Sequence, residues 1–172
     1  MRKLCIIFLI LPILTLTACS NVNFDTQPKC YLRVHIRADS NLEKDQTVKY
    51  LVKDGIVNFL TPLLASASSK EQAESIISEN LTKIEKVADD ILLKNGFLYK
   101  SKAKLNNEYF PTRVYDNYTL ISGYYDALIL ELGSGKGDNW WCVVYPPLCF
   151  VNENTSYVYK SKLLEIIDKF FN

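Results

Sequence analysis

The chain has 172 residues, with 20 basic and 19 acidic side chains and a formal charge of +1. That length supports one domain with a real core, and the near-neutral balance excludes a surface built for nucleic acid or lipid headgroups. Eleven Tyr and eight Phe exclude a largely disordered chain.

Residues 1–18 read as a signal peptide: a basic start at Arg2-Lys3, an apolar run over residues 4–16 and a small-residue cleavage site. The apolar run is shorter than the about 20 residues a spanning helix needs, and Pro12 interrupts it. An uncleaved N-terminal anchor would give the rest of the chain the same topology. Leu16-Thr17-Ala18-Cys19 resembles a bacterial lipobox, so Cys19 is the expected lipidation site. Ordinary cleavage near Ala18 is the alternative. Two acyl chains, at about 0.8 kcal/mol per buried CH₂, hold a protein on a membrane where one does not. Loss of Arg2 and Lys3 leaves 18 basic against 19 acidic residues, near −1. Residues 19–29 are polar and form a linker of at most about 36 Å. The expected domain covers 30–151, and 152–172 is a C-terminal extension.

Within the domain, residues 31–38 alternate Leu32, Val34 and Ile36 against Arg33, His35 and Arg37, the pattern of a half-buried strand. Ser40 with Glu43 forms an expected capping box for a first helix. That helix carries Val48, Leu51, Val52, Ile56, Phe59 and Leu60 on one stripe, and Pro62 is expected to end or kink it. Ser69 with Gln72 repeats the cap. A second helix carries Ala73, Ile76, Ile77, Leu81, Ile84, Ala88 and Ile91, with Asn80 marking a bend and Asn95-Gly96 a C-cap. The period then falls to two. Strands are expected around residues 99–105, 124–132 and 140–145, with another short one within 114–121. Residues 133–137 make a glycine-rich turn. Leu163, Ile166, Ile167 and Phe170 outline a short C-terminal helix. The order predicts an α+β fold: an N-terminal strand, two amphipathic helices, a mostly antiparallel sheet and a short C-terminal helix.

Of the five cysteines, Cys30, Cys142 and Cys149 remain after Cys5 and Cys19. Cys142 and Cys149 flank Pro146-Pro147 and form the expected disulfide in an oxidising compartment; two buried thiols are the alternative. His35 is the sole histidine. A Ser–His–Asp hydrolase would need His35, Ser40 and Asp39 or Asp45 to converge, and no Gly-x-Ser-x-Gly elbow is present. A thiol enzyme from Cys30 and His35 lacks an evident oxyanion hole. Zinc on His35, Cys142 and Cys149 lacks paired ligand spacing, so no metal or cofactor is expected. Lys136 is followed by Gly137 and not by Ser or Thr, so the glycine loop is no phosphate cradle. Trp140 and Trp141 face opposite sides of their strand. The outward ring is either an interface anchor or is covered by the C-terminal helix.

Three blocks carry a family resemblance. Residues 31–40 with Asp45-Gln46, residues 109–113 and residues 135–150 resemble, in one order, the opening, central and closing motifs of stage II sporulation protein R. The resemblance implies a protein made in the forespore and exported between the forespore and mother-cell membranes. There it would activate a membrane-embedded aspartic protease (SpoIIGA-like) that processes the precursor of sigma factor E. It implies an activator, not an enzyme, with a receptor protease as partner, no nucleic acid and a place on the outer face of the forespore membrane. The lipobox at Cys19 and Arg37 within the first strand depart from the family pattern. The former favours tethering by lipid over release, and the latter weakens burial of that strand face. The contact surface is expected to join residues 33–46 and 133–150. It would take in His35, Asp39, Ser40, Asp45, Gln46, Arg113, Trp140 and Trp141, with a Trp as anchor and Asp39, Asp45 and Arg113 as rim charges. An extracytoplasmic hydrolase using His35, or a ligand-binding lipoprotein, are the competing functions.

Overall fold

The computed structural model describes residues 30–115 and 118–146. Its first strand, β1 (Leu32–Arg37), is buried on both faces and not on one. Leu32, Val34 and Ile36 enter the larger apolar cluster, as the alternation requires. Arg33 and His35 are buried too, at 0% and 5% exposure. The expectation of a half-buried strand fails because β1 is an inner strand whose second face is itself covered.

Four strands make the main sheet in the order β2 (Ser101–Phe110), β5 (Gly123–Leu132), β1, β6 (Asn139–Tyr145). The β2–β5 ladder is antiparallel over ten residues, β1 pairs antiparallel with β6, and β1 runs parallel to β5. The expected short strand within 114–121 is instead a hairpin, β3 (Arg113–Tyr115) with β4 (Tyr118–Leu120), forming a second, two-stranded sheet. The fold is α+β, mostly antiparallel, with one parallel pair.

Three helices pack on one face. The first, α1 (Glu43–Leu64), buries Val48, Val52, Ile56, Leu60 and Leu64, each four residues from the last. Leu51 falls off that stripe and is 43% exposed. The helix runs through Pro62 for two more residues. Its start corrects the capping expectation. Leu42 is the N-cap residue and no side chain caps the helix, because Ser40 Oγ accepts from Leu42 N at 3.1 Å and donates to Asp45. Ser69 does cap α2 (Lys70–Glu79), accepting from Gln72 N. The Gln72 side chain reaches back to Ser68 N at 2.8 Å. Asn80 divides the expected second helix into α2 and α3 (Leu81–Lys94): its own N–H donates to Ile77 O and its side-chain amide to Ile76 O. Gly96, at φ 81°, follows the Asn95 C-cap in the left-handed conformation expected there.

The helices and the sheet enclose Val48, Val52, Ile56, Ala73, Ile77, Ile84, Ala88 and Leu92 against Val34, Ile36, Leu128 and Leu130. Each large aliphatic side chain so buried contributes about 1.5–3 kcal/mol before chain entropy is counted. Gly55 lets α1 and α3 close together, since a Cβ there would stand 2.3 Å from Ile91 Cδ1. A smaller cluster of Tyr31, Phe110, Leu120, Tyr125, Ala127, Ile129 and Val143 lies on the opposite face of the sheet. Among the described residues no helix is long and apolar enough to cross a membrane. Cys19, Cys149, the linker and the C-terminal helix lie outside the described residues.

Candidate functional site

Two of the three blocks that carry the resemblance, the opening and the closing ones, are held together at one end of the sheet. Where β1 passes into α1, the chain is stitched to the β5–β6 turn. Asp39 Oδ1 accepts from Ser134 N at 2.6 Å, and Asp39 O from Ser134 Oγ at 2.8 Å. Ala38 O accepts from Gly137 N at 2.8 Å. Asn41 Oδ1 accepts from Asp138 N at 2.6 Å. The glycines are there for space: a Cβ on Gly137 would stand 2.3 Å from Ser40 O, and one on Gly133 2.3 Å from Asp39 Oδ1. The turn therefore has a structural task, which is to lie flat against residues 38–41.

Beneath this clasp, Asp45 is 2% exposed. It accepts from Ser40 Oγ and, at 2.9 Å, from Tyr99 OH. It is a buried anchor and not the rim charge the sequence suggests. Gln46 donates to Ser40 O at 2.9 Å and accepts from Lys49 Nζ at 2.6 Å; Lys49 also donates to Asp138 O at 3.0 Å. Lys49 is almost wholly buried, and that burial lowers its pKa against the pull of Asp138.

His35 is elsewhere. Its ring lies on the other face of the sheet, with Nδ1 3.2 Å from Glu108 Oε2. Burial lowers its pKa, Arg37 adds to the effect, and Asn139 and Glu108 oppose it. Arg37 donates to Glu108 at 2.6 Å and to Glu131 at 2.9 Å. This explains its place in the strand: it is paired twice. His35 also stacks beside Trp141 and Phe110, with ring centroids 5.5 and 5.7 Å away. Arg113 lies over the Trp141 ring at 4.3 Å. Ser40, bonded to Asp45, and His35, bonded to Glu108, are not brought together as a hydrolase pair. The expected place of His35 on one contact surface with Asp39 and Ser40 is thus corrected.

The eight candidate residues fall into three groups. Asp39, Ser40, Asp45 and Gln46 form the clasp. His35, Arg113 and Trp141 meet on the second sheet face. Trp140 turns toward the helices, where Lys53 Nζ lies 5.9 Å from its ring. Both Trp side chains are partly buried and neither is an exposed anchor. Cys30 is the free cysteine among the described residues and is half-buried. Among those residues, no group of three or more His, Cys, Asp or Glu is placed to hold a metal ion.

Sequence reasoning missed Arg33, Glu108 and Tyr115 on the second face. It also missed an open groove of about 480 Å³ beside the clasp, lined by residues including Lys44, Leu51, Asn95 and Phe97. Leu51, which lines the groove, is 43% exposed, and Leu42 and Leu98, next in sequence to its lining residues Glu43 and Phe97, are 59% and 89% exposed. Leu51, expected on the buried stripe, is exposed and lines this groove instead.

Residues 28–155 match the family model described as Stage II sporulation protein R, a span that contains all nine described elements. Stage II sporulation protein R of Bacillus subtilis (strain 168) is 33% identical over 125 residues, which cover 73% of this chain and 56% of that relative. The chain thus spans little more than half the relative's length. No solved structure matches. With most of its length matched by the model and a third of the aligned residues identical, the chain belongs to the stage II sporulation protein R family.

Proposed function

We propose that this protein is an exported sporulation signal, which binds and activates a membrane-embedded aspartic protease that processes the precursor of sigma factor E. Family membership supports the role in sporulation. The observation that carries the binding reading is the open groove beside the clasp, lined by the exposed Leu51, with exposed Leu42 and Leu98 next in sequence to its lining residues Glu43 and Phe97. Exposed apolar patches of this kind mark contact surfaces in soluble domains. β1 starts near Cys30 and runs about 20 Å to the clasp. A chain tethered through Cys19 by a linker of residues 19–29 would hold its start near the anchoring membrane and offer the clasp end outward. Acylation of Cys19, and a Cys142–Cys149 bond beside the Pro146-Pro147 turn, belong to this reading. Mass spectrometry of the N-terminal and cystine peptides tests both.

The decisive experiment reconstitutes the full chain with the candidate receptor protease and its precursor substrate. Cleavage should depend on this protein. Leu98→Asp and Leu51→Asp should reduce it at least tenfold while circular dichroism stays unchanged. Equal cleavage without the protein, or with both variants, sinks the reading.

A further inference from the structure

On the second face of the sheet, Arg33 is wholly buried with no carboxylate beside it among the described residues. Its guanidinium lies 4.3 Å from the Phe110 ring centroid and 5.0 Å from that of Tyr125, and Nη2 donates to Tyr115 OH at 2.7 Å. Nε and Nη1 have no hydrogen-bond partner. Among the described residues the Trp141 indole N–H is also buried without a partner, and so is His35 Nε2, which is an acceptor while Nδ1 donates to Glu108. They belong to one place. Phe110 touches both Arg33 and His35, His35 lies beside Trp141, and the Arg113 guanidinium lies 4.3 Å from the Trp141 ring centroid.

Aromatic faces offset part of the cost of burying a guanidinium, but they accept no directed N–H bonds of ordinary strength. Buried donors left unpaired are rare in native proteins and call for an explanation. The nearby carboxylates are already used: Glu108 serves His35 and Arg37, and Glu131 serves Arg37 and Lys104. Among the described residues Arg113 makes a long bond, 3.4 Å, to Thr112 O. Among the described residues neither guanidinium has a carboxylate, and Arg113 stands close enough to lower the pKa of Arg33 beyond the effect of burial.

We infer that the sheet face around Arg33, His35, Arg113 and Trp141 is a binding site for a carboxylate. The group supplies acceptors for the unpaired N–H groups of Arg33 and Trp141, and negative charge where Arg33 and Arg113 are positive. A monoanion fits better than a phosphate dianion, because Glu108 stands beside His35 and would repel the second charge. The carboxylate is either an acidic side chain of a polypeptide or a small free acid. The site is on the opposite face from the helices and does not depend on the receptor reading above.

Trp140 and Trp141 are the only tryptophans, so the indole N–H signals of the ¹⁵N-labelled full chain report the site directly. Each is assigned by its Phe variant. The probes are N-acetylglutamate N-methylamide, acetate and inorganic phosphate, at constant ionic strength. The Trp141 signal should shift saturably with the carboxylates while that of Trp140 stays still. Tighter binding of the glutamate derivative points to a polypeptide source, and equal binding to a small acid; either supports a carboxylate site. Arg33→Met should weaken the response at least tenfold. Should that variant not fold, Arg113→Gln, at a half-buried position, should weaken it at least threefold. No saturable shift, an equal shift with phosphate, or an unchanged response in the variant that folds overturns the inference.

Discussion

Asp45 offers the sharpest test of the clasp. Its carboxylate is 2% exposed and holds two hydroxyls, Ser40 Oγ and Tyr99 OH. A hydrogen bond to a charged group contributes about 1.5–3 kcal/mol. Asp45→Ala removes two and strands the partly buried Tyr99 hydroxyl, so the expected loss is about 3–5 kcal/mol, against a total of about 5–15 kcal/mol for a domain. Tyr99→Phe removes one bond and leaves the Ser40 contact, for a loss of about 1.5–3 kcal/mol. The double variant should cost less than the sum by about 1–2 kcal/mol, the coupling expected of residues in direct contact. Urea unfolding followed by circular dichroism measures all three, and a thermal scan should show the Asp45→Ala midpoint lower by roughly 10–20 °C at about 4 °C per kcal/mol. A loss under about 1 kcal/mol that disappears in high salt would mean the carboxylate is an exposed rim charge, and the buried-anchor argument would be wrong.

His35 predicts a pH dependence. Its folded-state pKa lies below the ordinary value of about 6.5, chiefly through burial. As pH falls below about 6.5 the unfolded chain takes the proton first, so stability is full above that pH and declines toward the folded value. His35→Phe should flatten this slope below about pH 6.5 in urea titrations; an unchanged slope assigns it to other groups. Glu108→Gln frees both His35 and Arg37 and should cost about 2 kcal/mol, since both partners are largely buried and only Arg37 keeps a second carboxylate. Equal midpoints for variant and parent would show that the pair contributes nothing net. Gly137→Ala should be worse than Gly96→Ala. The first drives a Cβ to within 2.3 Å of Ser40 O, whereas the second meets nothing within 4 Å and bears only the cost of φ 81°, about 1 kcal/mol. The reverse ranking in unfolding midpoints would contradict the close packing of the β5–β6 turn.

Local pattern carried the helices well. The spacing of Val48, Val52, Ile56 and Leu60 and the Asn95-Gly96 stop are properties of a few adjacent residues, and the structure has them where the periodicity puts them. The break at Asn80 was visible as a polar residue in an apolar stripe. What failed depended on distant partners. Alternation of Arg33, His35 and Arg37 reads as a wet strand face. It is dry because Phe110, Tyr125 and the β3–β4 hairpin arrive from about 80 residues later, the separation of the Arg33–Tyr115 bond being 82. The Ser40–Glu43 box satisfied the rule for a cap, yet Asp45, two residues further on, took the Ser40 hydroxyl instead. Residues 133–137 were readable as a turn, but not as a surface shaped to lie on Asp39, 95 residues away from Ser134. The resemblance was legible in three blocks because such blocks preserve residue identities, not because their packing could be inferred. Of the candidate site, the grouping of Asp39 with the glycine turn was anticipated, and the separation of His35 and Trp140 from it was not.

The parallel pairing of β1 with β5 has a consequence for how the chain is made. β1 is the first described strand to be synthesised, and its partner is 94 residues downstream, as the Arg37–Glu131 pair shows. Its other neighbour, β6, comes later still. At about 5–20 residues per second, the inner strand waits roughly 5–20 s with both edges open while three helices appear. Non-local sheets of this order form slowly once the chain is complete. The chain therefore has a long interval in which it is threadable and vulnerable, ending only when β6 arrives to close the sheet. A carrier that keeps unfinished chains extended would act during that interval, and truncation before residue 139 should leave a product that proteases clear.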